Sequence, residues 1–212
     1  MAAEDLLAEP LPEKTNQPIK QVPQDSLRRF LLDILETVGL AVLLFLVINA
    51  VSARARVDGY SMLPTLKNNQ YVLVDRLVLH YQRGDIIVFR PPMYPAESTI
   101  RRLLGMPNSQ YEDYIKRVIG LPGDTVKVEN GTVYVNGNAL NEPYIAAAPA
   151  YSGEWTVPAG QLFVMGDNRN DSSDSHSWGT LPIENVLGKA ILVYWPFSDW
   201  TVLRTPVVMA AH

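Results

Sequence analysis

The 212-residue chain contains no cysteine. Disulfide frameworks, thiolate nucleophiles and cysteine-based metal sites are thereby excluded, and the redox compartment stays open. Histidine is nearly as scarce: His80, His176 and His212 are the complete set. They lie far apart and no His-x-x-x-His occurs, so zinc catalysis is not expected, and no metal or cofactor is assigned. An excess of positive charge is missing as well. With a net charge of −4 and a pI near 5.4 the chain offers no basic surface, and nucleic acid is not expected as a partner. A hydrolytic reaction on this chain would have to use an oxygen or nitrogen nucleophile.

What the chain does have is one long apolar run. Residues 1–25 are polar and proline-bearing, and with Ser26–Arg29 they read as a disordered N-terminal tail, 1–29. "FLLDILETVGLAVLLFLVINAV" (30–51) follows. From Leu31 it has about 21 predominantly apolar residues, enough to span a bilayer at 1.5 Å per residue. A buried core helix is one reading, but few polar residues remain for a solvent face. A cleavable signal peptide is another, with Ala53-Arg-Ala55 as an A-x-A cleavage site. The tail before it is long and more acidic than basic, which favours a third reading, an uncleaved transmembrane signal anchor over 30–52. Arg28 and Arg29 face Arg54 and Arg56 across the run, so charge specifies orientation only weakly.

After Ala53 the sequence turns β-like. "YVLVDRLVL" (71–79), "DIIVFR" (85–90), "YIKRVIG" (114–120), "QLFVM" (161–165) and "KAILVYW" (189–195) are β-branched or aromatic runs bounded by Gly, Pro and Asn. "TVKVENGTVYVNG" (125–137) predicts a hairpin, because Asn130-Gly131 suits a type I′ turn. A short helix is compatible with "STIRRLLGM" (98–106), inside a segment, 91–113, that otherwise reads as a loop. "VYWPFSDW" (193–200) reads as ordinary core packing, with a place at a membrane interface as the alternative. The expected fold is mostly β: an antiparallel β-sheet domain, 53–212, tethered by one N-terminal transmembrane helix.

Three segments carry candidate chemistry. In "VDGYSMLPTL" (57–66), Gly59 permits a sharp turn and Pro64 restricts Leu63, so Ser61 is presented from a fixed loop. Alone, such a serine is ordinarily a turn former. Lys116 stands in an apolar strand, on the face shared by Tyr114 and Val118. Alone, it would ordinarily snorkel to the surface. Together they can form a Ser–Lys pair, provided the lysine is desolvated. At a pKa near 10.4 only about a few lysines in ten thousand are neutral at pH 7. "GDNRNDSSDSHSWG" (166–179) follows the apolar strand 161–165 directly, and Ser172, Ser173 or Ser175 can orient the lysine amine.

These segments resemble the type I signal peptidases (leader peptidases). The matching boxes are G-x-S-M-x-P-T-L at Gly59–Leu66, "GDIIVFR" at 84–90, Y-I-K-R-V-I-G-L-P-G-D at 114–124 and G-D-N-R-x-x-S-x-D-S at 166–175. They occur in the family's order behind an anchor, over about residues 30–195. The resemblance implies that Ser61 is the nucleophile, Lys116 the general base, and Ser172 the hydroxyl that positions the lysine amine. It implies that Asp167, Arg169, Asp174 and Arg117 brace the site. Met62, Leu66, Tyr114, Ile115 and Val164 fall where the family lines its pockets for small residues. Two positions depart from the common pattern. Gly59 stands where some members have a serine that donates to the oxyanion hole, and His176 stands where many have arginine. Both are more like members from cyanobacterial and thylakoid membranes.

The implied activity is endopeptidase removal of N-terminal signal peptides from exported preproteins, cutting after A-x-A. The implied partners are signal-peptide-bearing preproteins and the lipid bilayer. The implied location is a plasma or thylakoid membrane, single-pass, with the catalytic domain on the trans side. Two rivals stand beside it. One is a self-cleaving Ser–Lys repressor-type protease, which calls for a DNA-binding module where residues 1–52 have an anchor. The other is a tethered β-domain that binds extended peptides without cutting them, which calls for an exposed Lys116 far from Ser61.

Overall fold

A computed structural model describes residues 24–104 and 111–206. The expected disorder of residues 1–23 lies outside the described residues, as do parts of the 91–113 loop and the last six residues. Helix α1 (Gln24–Val51) begins before Phe30, taking in residues assigned to the tail. Leu27, Arg28 and Arg29 are good helix formers, and nothing between Gln24 and Phe30 breaks the helix. Its span Ser26–Val51 is, among the described residues, the one helix long and apolar enough to cross a membrane, and none of it is buried against protein. Along it Phe30, Leu35, Leu40 and Leu43 all expose more than half of their surface.

The remaining elements are β1 (Ser52–Arg56), β2 (Tyr71–Asp75), β3 (Ile86–Phe89), α2 (Thr99–Leu104), β4 (Tyr114–Gly120), β5 (Thr125–Glu129), β6 (Thr132–Val135), β7 (Asn138–Ala139), β8 (Gly153–Thr156), β9 (Gln161–Met165), α3 (Ser175–Trp178), β10 (Leu181–Pro182), β11 (Val186–Trp195) and β12 (Thr201–Val202). One sheet runs β1-β2-β11-β3-β4-β9-β10, with β12 beside β11; a smaller one runs β7-β6-β5-β8. All the pairings are antiparallel, as expected. The β5–β6 hairpin turns at Asn130 and Gly131 with φ of 50° and 75°, the positive pair a type I′ turn needs.

The larger sheet is buried on both faces where it carries the site. In β3, Ile86 and Val88 pack into a cluster with Met62, Leu66, Val72 and Ile115. Ile87 and Phe89, on the other face, pack with Val118, Leu162, Val164 and Leu181. A third cluster joins Ile119, Phe163 and Met165 to the valines of β5 and β6. β4 lies between β3 and β9, but the two borders differ in length. Its β3 border starts at Tyr114, whereas its β9 border starts only at Arg117. The β9-side edge of Tyr114–Lys116 is left without a ladder partner among the described strands.

The core packing expected for residues 193–200 holds only for Val193, which is fully buried. Trp195, Phe197 and Trp200 are about half exposed or more. Pro196 ends β11, and the following 3-10 turn, Phe197–Asp199, carries the rings off the sheet.

Candidate active site

Ser61 sits in a turn that both ends of the loop hold in place. Leu63 N donates to Tyr60 O (3.1 Å) and Leu66 N to Met62 O (2.9 Å), while the Met62 and Leu66 side chains sink into the core. Asn168 holds the loop from across the fold, its N–H donating to Ser61 O at 3.0 Å and its Nδ2 to Tyr60 O at 3.2 Å. Gly59 adopts φ +87°, a conformation that strains any residue with a Cβ. A donor side chain at this position would be strained, and none is present.

Lys116 lies in the middle of β4, opposite Ile87 of β3, with only 4% of its surface exposed. Its Nζ is 2.6 Å from Ser61 Oγ. Desolvation lowers its pKa to about 8, and the nearby carboxylates of Asp174 and Asp167 oppose that fall. The drop from 10.5 corresponds to roughly 3 kcal/mol of preference for the neutral amine. In the ammonium form Nζ–H donates to Oγ; in the neutral form the hydroxyl donates to the amine lone pair. The second arrangement is the one from which a serine can be deprotonated.

The polar run 166–179 supplies the surroundings. Asp167, fully buried, grips Arg117 in a two-pronged pair at 2.8 and 2.6 Å and accepts from Thr65 Oγ1 at 2.5 Å. Arg117 also donates to Gly84 O at 2.7 Å, and its guanidinium lies 3.9 Å over the Tyr144 ring. Arg169 donates to Gly166 O and makes a two-pronged pair with Glu142 at 2.7 and 2.6 Å. Asp174 caps α3 and accepts the Gly166 N–H at 2.8 Å. Of the three serines, Ser175 Oγ accepts from Val164 N, Ser173 faces the cleft, and Ser172 Oγ is buried without a hydrogen-bond partner. None bonds the lysine amine. Ser172 nevertheless borders the nucleophile loop: a Cβ built on Gly166 would meet Ser172 Oγ at 2.3 Å and Ser61 O at 2.5 Å.

A cleft of about 700 Å³ opens beside Ser61 and Lys116, walled by residues 54–62 and 112–116. Met62, Tyr114 and Ile115 line it. Leu66 and Val164 do not: both are fully buried, one under the Ser61 loop and the other on the opposite face of the sheet.

The family described as signal peptidase, peptidase S26, matches residues 30–195. The chain belongs to that family. Among its relatives, "Signal peptidase I" of Leptolyngbya laminosa is 44% identical over 181 residues, covering 83% of this chain and 85% of the relative. "Probable signal peptidase I-1" of Synechocystis is 46% identical over 144 residues, covering 66% and 69%. "Thylakoidal processing peptidase 1, chloroplastic" of Arabidopsis thaliana is 32% identical over 177 residues, covering 76% and 50%. A crystal structure of a signal peptidase I from Enterococcus faecalis is 31% identical and covers 53% of this chain and 97% of its own, with a TM-score of 0.42. The chain is accordingly a serine peptidase of the membrane that removes signal peptides, and the two rival functions are not favoured.

Within this candidate site, sequence reasoning missed Thr65, Glu142, Tyr144 and Asn168. One signal was available. Arg117 and Arg169 lie in segments bordered by core strands, so each needed a carboxylate or aromatic partner, and Glu142 and Tyr144 are such groups.

Proposed function

We propose that the chain cleaves preproteins through a Ser61–Lys116 dyad, and the observation that carries this is the 2.6 Å contact between Oγ and the buried Nζ. Neutral Lys116 takes the Ser61 proton as Oγ bonds to the scissile carbonyl carbon, with the Ser61 N–H donating to the oxyanion. The resulting ammonium gives that proton to the leaving amine, which departs as the new N-terminus and leaves an ester. Lys116, neutral again, takes a proton from water as the hydroxyl attacks the ester. It returns the proton to Oγ when the acid is released. Asp167, Arg117, Arg169 and Asp174 hold the loops in register, and the buried Ser172 hydroxyl, which has no partner in the resting fold, turns to the amine during the reaction.

Substrate selection follows from the open edge at Tyr114–Lys116. A peptide added there as a strand sends the side chains at −1 and −3 to one side and −2 to the other. Met62, Tyr114 and Ile115 line the cleft, and the preference expected at −1 and −3 is for small residues such as alanine. In the membrane, residues 30–52 are the anchor, 1–29 the tail and 53–212 the catalytic domain on the trans side. Ser61 follows Val51 by about ten residues, within roughly 33 Å of the bilayer. Exposed Trp195, Phe197 and Trp200 suit the lipid interface, and no nucleic acid is involved.

The test is cleavage of an A-x-A preprotein in detergent as a function of pH. With the Lys116 pKa at about 8, about one enzyme in ten carries a neutral base at pH 7. The value of kcat/KM should therefore rise about tenfold per pH unit below pH 8 and level off above it. A flat profile from pH 6 to 9 would remove lysine from the base role. Ser172→Ala is expected to lower kcat by about tenfold or more with little change in KM, because its hydroxyl touches no substrate. An unchanged kcat would remove its positioning role.

A further inference from the structure

We propose that His176 is a positioning residue of this enzyme, acting on Lys116 through the buried carboxylate of Asp174. The ring Nδ1 lies 2.7 Å from Asp174 Oδ1, and the His176 backbone N–H donates to the same oxygen at 3.2 Å. The imidazole is held flat against the Tyr151 ring, with centroids 4.1 Å apart and planes 14° apart, so it cannot swing off the carboxylate freely. The other carboxylate oxygen, Oδ2, accepts from Gly166 N. Gly166 is the residue whose bare face abuts Ser172 Oγ and Ser61 O. A continuous chain of contacts thus runs from His176 to the nucleophile loop.

The charges around this chain decide its electrical effect. Tyr151 covers one ring face of His176, and the Arg169–Glu142 pair is close enough to act on Tyr151. Arg169 is held by Glu142, and Arg117 by Asp167, both at 2.6 Å. Neither guanidinium is directed to Asp174, which is fully buried. Among the described residues, the groups left to answer its charge are the amine of Lys116 and the imidazole of His176. Asp174 favours the ammonium form of Lys116, the wrong form for a base. Each hydrogen bond or positive charge His176 brings to Asp174 draws that field away and frees the amine. Loss of His176 should raise the proton affinity of Lys116, and a permanent cation at this position should lower it.

This inference rests on Lys116 being the base, and the two fail separately. The experiment measures kcat/KM against pH for the full-length enzyme and its His176→Ala, His176→Gln and His176→Arg variants, with thermal melts as a folding control. His176→Ala should move the acid limb upward by about half to one pH unit, lowering kcat/KM at pH 7 by about three- to tenfold while the alkaline plateau is largely kept. His176→Arg should move the limb downward, and His176→Gln, which keeps a donor without a charge, should fall between His176→Arg and His176→Ala. A merely structural role would depress the plateau and leave the limb in place. Unmoved limbs in all three folded variants would overturn the inference while leaving the dyad intact. Full activity in Lys116→Ala would overturn the dyad, and with it this inference.

Discussion

Ser61→Ala and Lys116→Ala are each expected to lower cleavage of an A-x-A preprotein by about 10³-fold or more, and the double variant should be no worse than either single one. In the proposed dyad the two side chains act as one unit. Without the amine, Oγ keeps its proton; without Oγ, the amine has nothing to activate that can form the ester. The losses therefore do not add. Single-turnover assays on purified enzyme check this, and a double variant slower than both singles by a further large factor would split the dyad into independent contributors. Replacing Lys116 by an apolar residue of similar length should affect stability in the opposite direction. Lys116 titrates at about 8 in the fold and 10.5 when unfolded, so between these values the unfolded chain binds more protons. Native stability from this group should rise by roughly 3 kcal/mol from pH 8 to pH 10.5, and the full penalty applies below pH 8. Lys116→Met, which fills the site without a charge, should melt above the parent at pH 7, and the gap should close at the alkaline end. A parent that melts higher than Lys116→Met at pH 7 would contradict a strained, desolvated base.

The parts of this fold that could be read from the sequence are those with local causes. The β-branched and aromatic run Tyr114–Gly120 and the Asn130-Gly131 dipeptide determine a strand and a hairpin within a few residues, and both occur where expected. The strand expected over 71–79 stops at Asp75 instead. Asp75 Oδ1 accepts the Leu77 N–H at 2.8 Å and turns the chain, which leaves Leu77 and Leu79 exposed despite their apolar character. β1, "SARAR", has no β-branched residue, and its strand form comes from pairing with β2, which no local pattern announces. The candidate site divides in the same way. Ser61 and Lys116 each have an ordinary reading alone, and only the joint occurrence of their segments with 166–179 marks them. Nothing of that kind marks the contacts that hold them, since Thr65 reaches Asp167 across 102 positions and Arg169 reaches Glu142 across 27. Leu66 and Val164 show the limit of transferring pocket roles by position: burial decides which side chains meet the cleft, and these two are spent on the core.

Arg117→Met is expected to destabilise the catalytic domain by about 3–5 kcal/mol, the range for removing one partner of a buried ion pair. Arg117 and Asp167 expose 2% and 0% of their side chains, so the orphaned carboxylate has no water to turn to. That loss is a large part of the roughly 5–15 kcal/mol by which domains are stable, and urea midpoints should fall accordingly. Activity should fall further than stability explains. Asp167 joins Thr65 in the nucleophile loop to Arg117, the neighbour of Lys116 on β4, and so fixes the distance between Oγ and Nζ. The discriminating variant is the double replacement Arg117→Met with Asp167→Leu. Replacing both charges by apolar groups is often close to neutral, so stability should return in large part and yield a coupling energy of about 2–3 kcal/mol. Cleavage should not return with it, because an apolar pair leaves Thr65 Oγ1 without its acceptor and the serine loop without its tie. Recovery of full cleavage along with stability would mean that the pair serves folding alone.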